Sequence, residues 1–147
     1  MVVEIDISTR LTAEQLIQRY MDDWSITRKP RKANLEIYAF PNITNIQYLI
    51  AIDEDNKIIG HSGWGKIGEH YIDAGSRVSA GKDEMDAYRS DSPNYREKGI
   101  YSKLFNLRSS IVEPLCDSKK VLFIITTKPE KVKVIKMCES RGYALFP

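Results

Sequence analysis

The spacing of hydrophobic and polar positions changes several times along the 147-residue chain, and each change marks a predicted element. Residues 2–7 form a short β-rich run. Thr12 and Gln15 then have the spacing of a capping box, which predicts that a helix begins there. The next apolar positions keep helical spacing, so one face of this helix should be buried against a sheet. These positions are Ala13, Leu16, Ile17, Tyr20, Met21 and Trp24.

The clearest hairpin joins residues 48–52 to residues 57–60. Both runs are rich in β-forming apolar residues, and the polar residues 53–56 separate them. This pattern is typical of two antiparallel strands connected by a turn. The second strand is predicted to continue through Ile67, and residues 70–79 are the candidate for the strand that follows.

The second half of the chain predicts two helices and two strands. A helix should begin after Gly99, with Pro114 helping to end it. The continuous apolar run 121–125 predicts a strand buried on both faces. A further helix is predicted to begin at Thr127 and to end at Gly142, before a last short strand at 143–146. The inward positions of the first helix are Ile100, Leu104, Phe105, Arg108, Ile111 and Val112.

The order of these elements is strand, helical region, β meander, helix, strand, helix, strand. It predicts an α/β or α+β fold in which helices cover a single sheet. The chain is 42% hydrophobic and 29% charged, the composition of an ordinary globular protein. Together with the length, this predicts one domain that spans residues 1–147.

Charge, cysteines and hydropathy narrow the functional classes. The net charge of +2 gives no overall field that would favour nucleic acid, so nucleic acid is an unfavoured partner. The basic cluster 27–32 and the lysines of the last helix are expected to be solvated surface.

Two cysteines without CxxC spacing do not suggest a disulfide framework or zinc. No stretch resembles a signal peptide or a membrane span, so we expect a soluble cytoplasmic protein.

Residues 92–104 carry most of the chemical information in the sequence. A polar turn leads into Gly99 and then into the amphipathic helix, whose first N–H groups lack intrahelical partners. Those groups and the helix dipole favour an anion, and Arg96, Lys98 and Lys103 add positive charge around them. The pattern predicts a phosphate-binding helix start. The alternative is a surface turn whose basic side chains point into water.

The same residues carry a family resemblance. The run Pro93-x-Tyr95-Arg96-x-Lys98-Gly99-Ile100 resembles motif A of the GNAT superfamily of N-acetyltransferases, R/Q-x-x-G-x-G/A. The resemblance implies a mixed, mostly antiparallel sheet, flanked by helices, whose fourth and fifth strands splay apart. The arm of acetyl-CoA would lie between those strands while the turn holds its pyrophosphate. The implied cofactor-binding residues are Arg96, Glu97, Lys98, Gly99, Ile100, Tyr101 and Ser102.

The resemblance also implies an activity, which is transfer of an acetyl group from acetyl-CoA to an amine of a small molecule, peptide or protein. No metal is required for this reaction. A catalytically silent domain of the same fold that binds protein or nucleic acid is the main alternative. An α+β domain unrelated to acyltransferases is a third hypothesis, and the sequence leaves homodimerisation open.

Two positions depart from the family pattern. Tyr101 stands where the family has Gly or Ala, so its side chain must swing aside, cover the site, stack on the cofactor, donate its hydroxyl to a phosphate or pack in the core. Cys138 aligns with the tyrosine that commonly acts as the general acid; it is either the acid or a structural thiol.

The candidates for a general base are His61 and His70, which titrate near neutrality in their ordinary state. The carboxylates are alternatives that would act through a water molecule. Any of these groups is equally compatible with simple solvation or hydrogen bonding. The carboxylate candidates are Glu69, Asp73, Glu84 and Asp86.

Overall fold

The structure is a computed structural model that describes residues 3–38, 41–79, 99–116 and 120–145. Within these ranges five strands and three helices follow one another, with short 3₁₀ turns at Lys32–Leu35 and Glu113–Cys116. The elements are β1 (Glu4–Leu11), α1 (Ala13–Asp23), β2 (Thr44–Ile52), β3 (Ile58–Ile67), β4 (His70–Val78), α2 (Ile100–Val112), β5 (Phe123–Ile124) and α3 (Val132–Ser140).

The five strands form one sheet in the order β1-β2-β3-β4-β5. The first four strands are antiparallel to their neighbours, and β5 is parallel to β4. The predicted mixed, mostly antiparallel sheet with helices is therefore confirmed. None of the helices in the described ranges is long and apolar enough to cross a membrane.

Helix α1 covers one face of the sheet. The Thr12 hydroxyl accepts a hydrogen bond from the Gln15 N–H, and the Gln15 side chain accepts one from the Thr12 N–H, so the predicted capping box is present. Leu16 and Ile17 of the helix pack with Tyr48 and Ile50 of β2 in one core cluster. The burial of these apolar side chains of α1 makes the main contribution to the free energy that holds the helix on the sheet.

Helix α2 covers the opposite face of the sheet. Side chains along a strand alternate between the two faces, so Leu49 and Ala51 of β2 point away from α1. Ala51 shares a core cluster with Leu104 of α2, and Leu49 shares another with Val112. The sheet is thus buried on both faces between β2 and β4.

Strand β4 contains a bulge where its register with β3 shifts. Gly63 of β3 is opposite Gly75, but the next residue, Trp64, is opposite Asp73, which leaves Ala74 as the extra residue. A Cβ atom on Gly75 would lie 1.8 Å from the carbonyl oxygen of Glu36, so this close approach requires glycine. The Tyr38 N–H donates to the Ala74 carbonyl at 3.0 Å. The segment 36–38 is therefore docked against the bulge.

The C-terminal region differs from the sequence prediction in three ways. The strand predicted at 121–125 is only Phe123–Ile124, and it is half-buried because, among the described strands, it pairs with β4 alone at the edge of the sheet. The helix predicted from Thr127 begins at Val132, after a turn closed by the Lys131 N–H and the Lys128 carbonyl. Residues 143–145 form no strand.

The predicted end of α3 at Gly142 is confirmed. Gly142 has a φ of +83°, and its N–H donates to the Glu139 carbonyl. The N–H of Tyr143 donates to the Cys138 carbonyl, which completes a Schellman motif. Because this motif uses the Tyr143 N–H, that group is not available to start the predicted last strand.

Candidate functional site

A cleft opens where β4 and β5 part. The two strands pair only through Tyr71 with Phe123 and Ile72 with Ile124, and β4 then continues to Val78 without β5. A cavity of about 330 Å³ lies beyond the last pair. Its lining comes from the segment before β2, from β4, from α2, from the chain after β5 and from α3. The lining residues are Glu36, Tyr38, Asp73, Ser76, Tyr101, Phe105, Ile125, Thr126, Thr127, Lys128, Lys131 and Val134.

The N-terminus of α2 lies beside this cleft. Gly99 is the N-cap residue, with a φ of +79° and no capping side chain. The first intrahelical bond runs from the Lys103 N–H to the Gly99 carbonyl, which leaves the N–H groups of residues 100–102 without intrahelical partners. A Cβ atom on Gly99 would meet no atom of the described residues within 4 Å, so none of them fills the space at this position. The helix start can therefore receive an anion.

Only part of the predicted phosphate-binding turn falls within the described residues. Gly99, Ile100, Tyr101 and Ser102 do, and the structure brings them together at the helix start. Ile100 is buried, and the Ser102 hydroxyl lies 3.6 Å from the Met137 sulfur of α3. The predicted residues Arg96, Glu97 and Lys98 lie outside the described ranges.

Tyr101 lines the cleft. Its ring is stacked on that of Phe105, with the ring centroids 6.5 Å apart, and it packs against the core cluster of α2. The side chain is thus partly packed against the core while it also lines the cleft. Burial raises the pKa of Tyr101 to about 12, with a further contribution from the charge of Asp73. The hydroxyl is therefore protonated at neutral pH.

A buried ion pair fixes Asp73 at the inner end of the cleft. Arg108 of α2 has no exposed side-chain surface, and its Nη1 donates to the Oδ1 atom of Asp73. The same nitrogen donates to the Gly63 carbonyl at 3.2 Å, and the guanidinium lies over the rings of Phe105 and Phe123. These contacts connect α2 to β3 and β4 at the bulge.

The two oxygens of Asp73 differ in their surroundings. Oδ1 accepts from Arg108 and, at 3.1 Å, from the Gly75 N–H. Oδ2 accepts no hydrogen bond from any described residue, and Asp73 lines the cavity with 12% of its side chain exposed. The carboxylate is thus held by one oxygen, while the other is available to a ligand.

The charges of the cleft lie on two sides. Glu36 and Asp73 are on the side of the bulge, whereas Lys128 and Lys131 are on the side of β5 and α3. Burial raises the pKa of Tyr38, which stands next to the acidic side. The cleft can therefore receive a ligand with both cationic and anionic parts.

No protein-family model matches the chain, and no curated protein matches it in sequence. Solved structures do match. The chain is similar to the ribosomal-protein-S18-alanine N-acetyltransferase of Escherichia coli, with a TM-score of 0.52 and 10% identity over 96% of this chain and 77% of that one. It is also similar to an acetyltransferase of the GNAT family from Staphylococcus aureus Mu50, with a TM-score of 0.50 and 15% identity over 96% and 84%.

The chain has the GNAT fold. At these identities the likeness establishes the architecture and leaves the activity to be argued from the site. Among the described residues, no group of three or more His, Cys, Asp and Glu side chains is placed to hold a metal ion.

Within this GNAT fold, His61 is a core residue. It is fully buried, its Nδ1 lies 2.9 Å from the Tyr20 hydroxyl, and the rings of Tyr20 and Tyr48 contact it edge-on. Burial and, to a smaller extent, the charge of Arg77 together lower the pKa of His61 to about 3. The structure does not place His61 in the cleft.

His70 and Cys138 are also outside the cleft lining. His70 begins β4, and its Nδ1 accepts a hydrogen bond from the Leu122 N–H at 3.1 Å. Cys138 is half-buried on α3, and burial raises the pKa of its thiol. The three predicted catalytic residues are therefore not brought together, and their roles stay predictions.

Sequence reasoning missed the role of Arg108 and the individual contributions of Glu36 and Tyr38. Arg108 did carry a signal, because it is a charged residue at an inward position of the α2 pattern, and such a residue needs a buried partner. For Glu36 and Tyr38 the family resemblance implied only that the loop 24–38 bears on the choice of acceptor, and it gave neither residue a role of its own. They reach the cleft through their docking on the β4 bulge, which connects residues far apart in sequence.

Proposed function

We propose that this chain is an acetyl-CoA-dependent N-acetyltransferase whose acceptor is an amine of a small molecule, peptide or protein. The observation that carries this proposal is the cleft between β4 and β5, which lies next to the uncapped N-terminus of α2. A cavity of about 330 Å³ is at the lower end of the range for small-molecule sites.

In this proposal the helix start binds the pyrophosphate of acetyl-CoA. The N–H groups of residues 100–102 would donate to the phosphates. Further contacts from residues 96–98 stay a prediction from the family resemblance. The acyl arm then lies in the cleft, with its thioester towards the bulge. Lys128 and Lys131 favour the anionic cofactor on their side of the cleft.

The transfer needs a neutral amine, a stabilised oxyanion and a proton for the leaving thiolate. The open Oδ2 atom of Asp73 is placed to accept a hydrogen bond from the acceptor amine and to orient its lone pair. The Tyr101 hydroxyl, which is protonated at neutral pH, lines the same cleft and can donate a proton to sulfur. The geometry supports these two residues better than it supports His61, His70 or Cys138.

Cofactor binding tests the proposal most directly. We expect Gly99→Glu to abolish the binding of acetyl-CoA in isothermal titration calorimetry, because the new side chain places a negative charge at the phosphate site. Gly68→Glu is the matched control: Gly68 also has a positive φ and open space around its Cβ position, but it lies in the turn between β3 and β4. This control should bind acetyl-CoA with wild-type affinity.

If the wild-type protein fails to bind acetyl-CoA at millimolar concentration, the proposed function is wrong. A panel of amines then separates an enzyme from a silent domain of the same fold. Cofactor binding without product from any amine would favour the silent domain.

We further propose a cytoplasmic location, in which the free thiols Cys116 and Cys138 would stay reduced.

A further inference from the structure

A second cavity lies at the other end of α2 and has no part in the proposed transfer. Its volume is about 360 Å³. It is bounded by Ile111 of α2 and Leu115 of the following 3₁₀ turn, about 18 Å along the helix axis from Gly99 at 1.5 Å per residue. The remaining lining comes from four strands. These residues are Arg10, Asn45, Ile46, Gln47, Trp64, Lys66 and Tyr71.

The charged groups of this cavity are both cations. Arg10 and Lys66 line it, and no aspartate or glutamate does. Across the part of the chain that the structure describes, neither cation has a carboxylate within ion-pair distance. In contrast, Arg19, Arg108 and Arg141 are each paired with an acidic side chain.

Both cations are held in place by aromatic rings of the same cavity. The Arg10 guanidinium lies 5.2 Å from the centre of the Trp64 ring, and the Lys66 ammonium lies 5.5 Å from that of Tyr71. A guanidinium carries five N–H donors, and only two of those of Arg10 have a hydrogen-bond partner among the described residues. The bonds from Arg10 to the Ile7 carbonyl and the Gln47 amide oxygen are long, at 3.4 Å each. A carboxylate or phosphate would make shorter, charge-assisted bonds there.

The rest of the cavity is apolar. Ile46, Ile111 and Leu115 contribute aliphatic surface, and Leu115 is 50% exposed. An inorganic anion would leave this surface in water, whereas an organic anion with an aromatic body would cover it. We propose that this cavity is a second binding site, specific for a small aromatic anion, and that its occupancy is independent of the acetyl-CoA cleft.

Phenyl phosphate is a suitable probe, with benzyl alcohol as the neutral analogue and benzylamine as the cationic one. In calorimetric titrations of the full chain, we expect phenyl phosphate to bind and the two analogues to bind at least about tenfold more weakly. Arg10→Gln and Lys66→Gln should each weaken phenyl phosphate at least about tenfold. Lys133→Gln, which removes one positive charge from the exposed face of α3, is the matched control and should leave the affinity unchanged.

Arg10→Lys keeps the charge but removes the planar edge, so it should recover only part of the affinity. Thermal unfolding of each variant shows whether the fold is retained. The proposal is wrong if phenyl phosphate does not bind at millimolar concentration, if benzyl alcohol binds equally well, or if the two Gln variants bind it like the control. Gly99→Glu should bind phenyl phosphate like the wild type, which separates this site from the proposed cofactor site.

Discussion

At the scale of single residues, His61 shows how burial changes the role of a titratable group. It lies between Tyr20 and Tyr48 in the core, where the neutral imidazole can share a hydrogen bond with the Tyr20 hydroxyl. Charging the ring there would cost desolvation and would bring it near the charge of Arg77. His61 therefore contributes to the packing of α1 against the sheet.

The lowered pKa predicts a specific pH dependence of stability. His61 has a pKa of about 3 in the folded chain and an ordinary value of 6.5 when unfolded. Between these values the unfolded state binds one more proton, so the free energy of unfolding falls as the pH decreases, by about 1.4 kcal/mol per pH unit. This contribution is fully present above pH 6.5. We expect His61→Gln to remove this part of the pH dependence, measured as the free energy of unfolding from urea titrations between pH 7 and pH 4.

His70→Gln provides the control, because His70 is at the start of β4 and outside the core. The free energy of unfolding of the His70→Gln variant should change with pH as it does in the wild type. A His61→Gln variant with the wild-type slope would show that His61 does not titrate in this way.

At the scale of elements, the bulge of β4 decides where the cleft opens. In a regular strand, successive side chains point to opposite faces of the sheet and each residue has one partner on the neighbouring strand. Ala74 has no partner on β3, so Asp73 and Gly75 are opposite two consecutive residues of β3. The bulge turns the Ala74 carbonyl towards the Tyr48 hydroxyl and the Tyr38 N–H, both of which donate to it. It therefore positions Asp73 and the docked segment 36–38 at the same time.

Gly75→Ala tests the close contact that this arrangement needs. The added methyl group would meet the Glu36 carbonyl at 1.8 Å, whereas in the matched Gly68→Ala change it would meet no atom of the described ranges within 4 Å. Both changes put alanine at a positive φ, which costs about 1–2 kcal/mol. We expect Gly75→Ala to lower the free energy of unfolding by about 1–3 kcal/mol more than Gly68→Ala does. Urea unfolding measures both values, and equal values would contradict the contact.

At the scale of the whole molecule, the cleft exists because distant segments meet. Asp73 comes from β4, Arg108 from α2, and Lys128 from the chain after β5. The Asp73–Arg108 ion pair joins α2 to β4 at the residue that follows the last pair between β4 and β5. A site of this kind depends on the packing of the complete fold more than on any one element.

Asp73→Asn tests the chemistry of the assembled cleft. An asparagine can keep the bonds of Oδ1 to Arg108 and Gly75, but it replaces the open Oδ2 acceptor with a donor. We expect acetyl-CoA affinity to change by less than about twofold, and the rate of transfer to the best amine of the panel to fall at least about 100-fold. Asp22→Asn, on the exposed side of α1, should not change either value. Unchanged transfer in Asp73→Asn would exclude the proposed role.

The elements with strong local signals could be predicted from the sequence. The capping box of Thr12, the hairpin at residues 53–56 and the start of α2 at Gly99 depend on interactions between near neighbours. The short β5 could not be predicted, because the apolar residues 121–125 have the pattern of a central strand and only the sheet order places them at an edge. The late start of α3 could not be predicted either: a turn closed by the Lys131 N–H and the Lys128 carbonyl comes before it.

The sequence by itself determined the order of the elements from β1 to α3, the amphipathic faces of α1 and α2, and the glycine that begins the candidate anion site. These features follow from periodicity, capping and backbone conformation, all of which are local. The tertiary structure alone decided that His61 is buried, that Arg108 reaches Asp73, and that β4 and β5 part to open a cleft. Burial and ion pairing join residues that are distant along the chain, so their effects exist only once the sheet and its helices have packed.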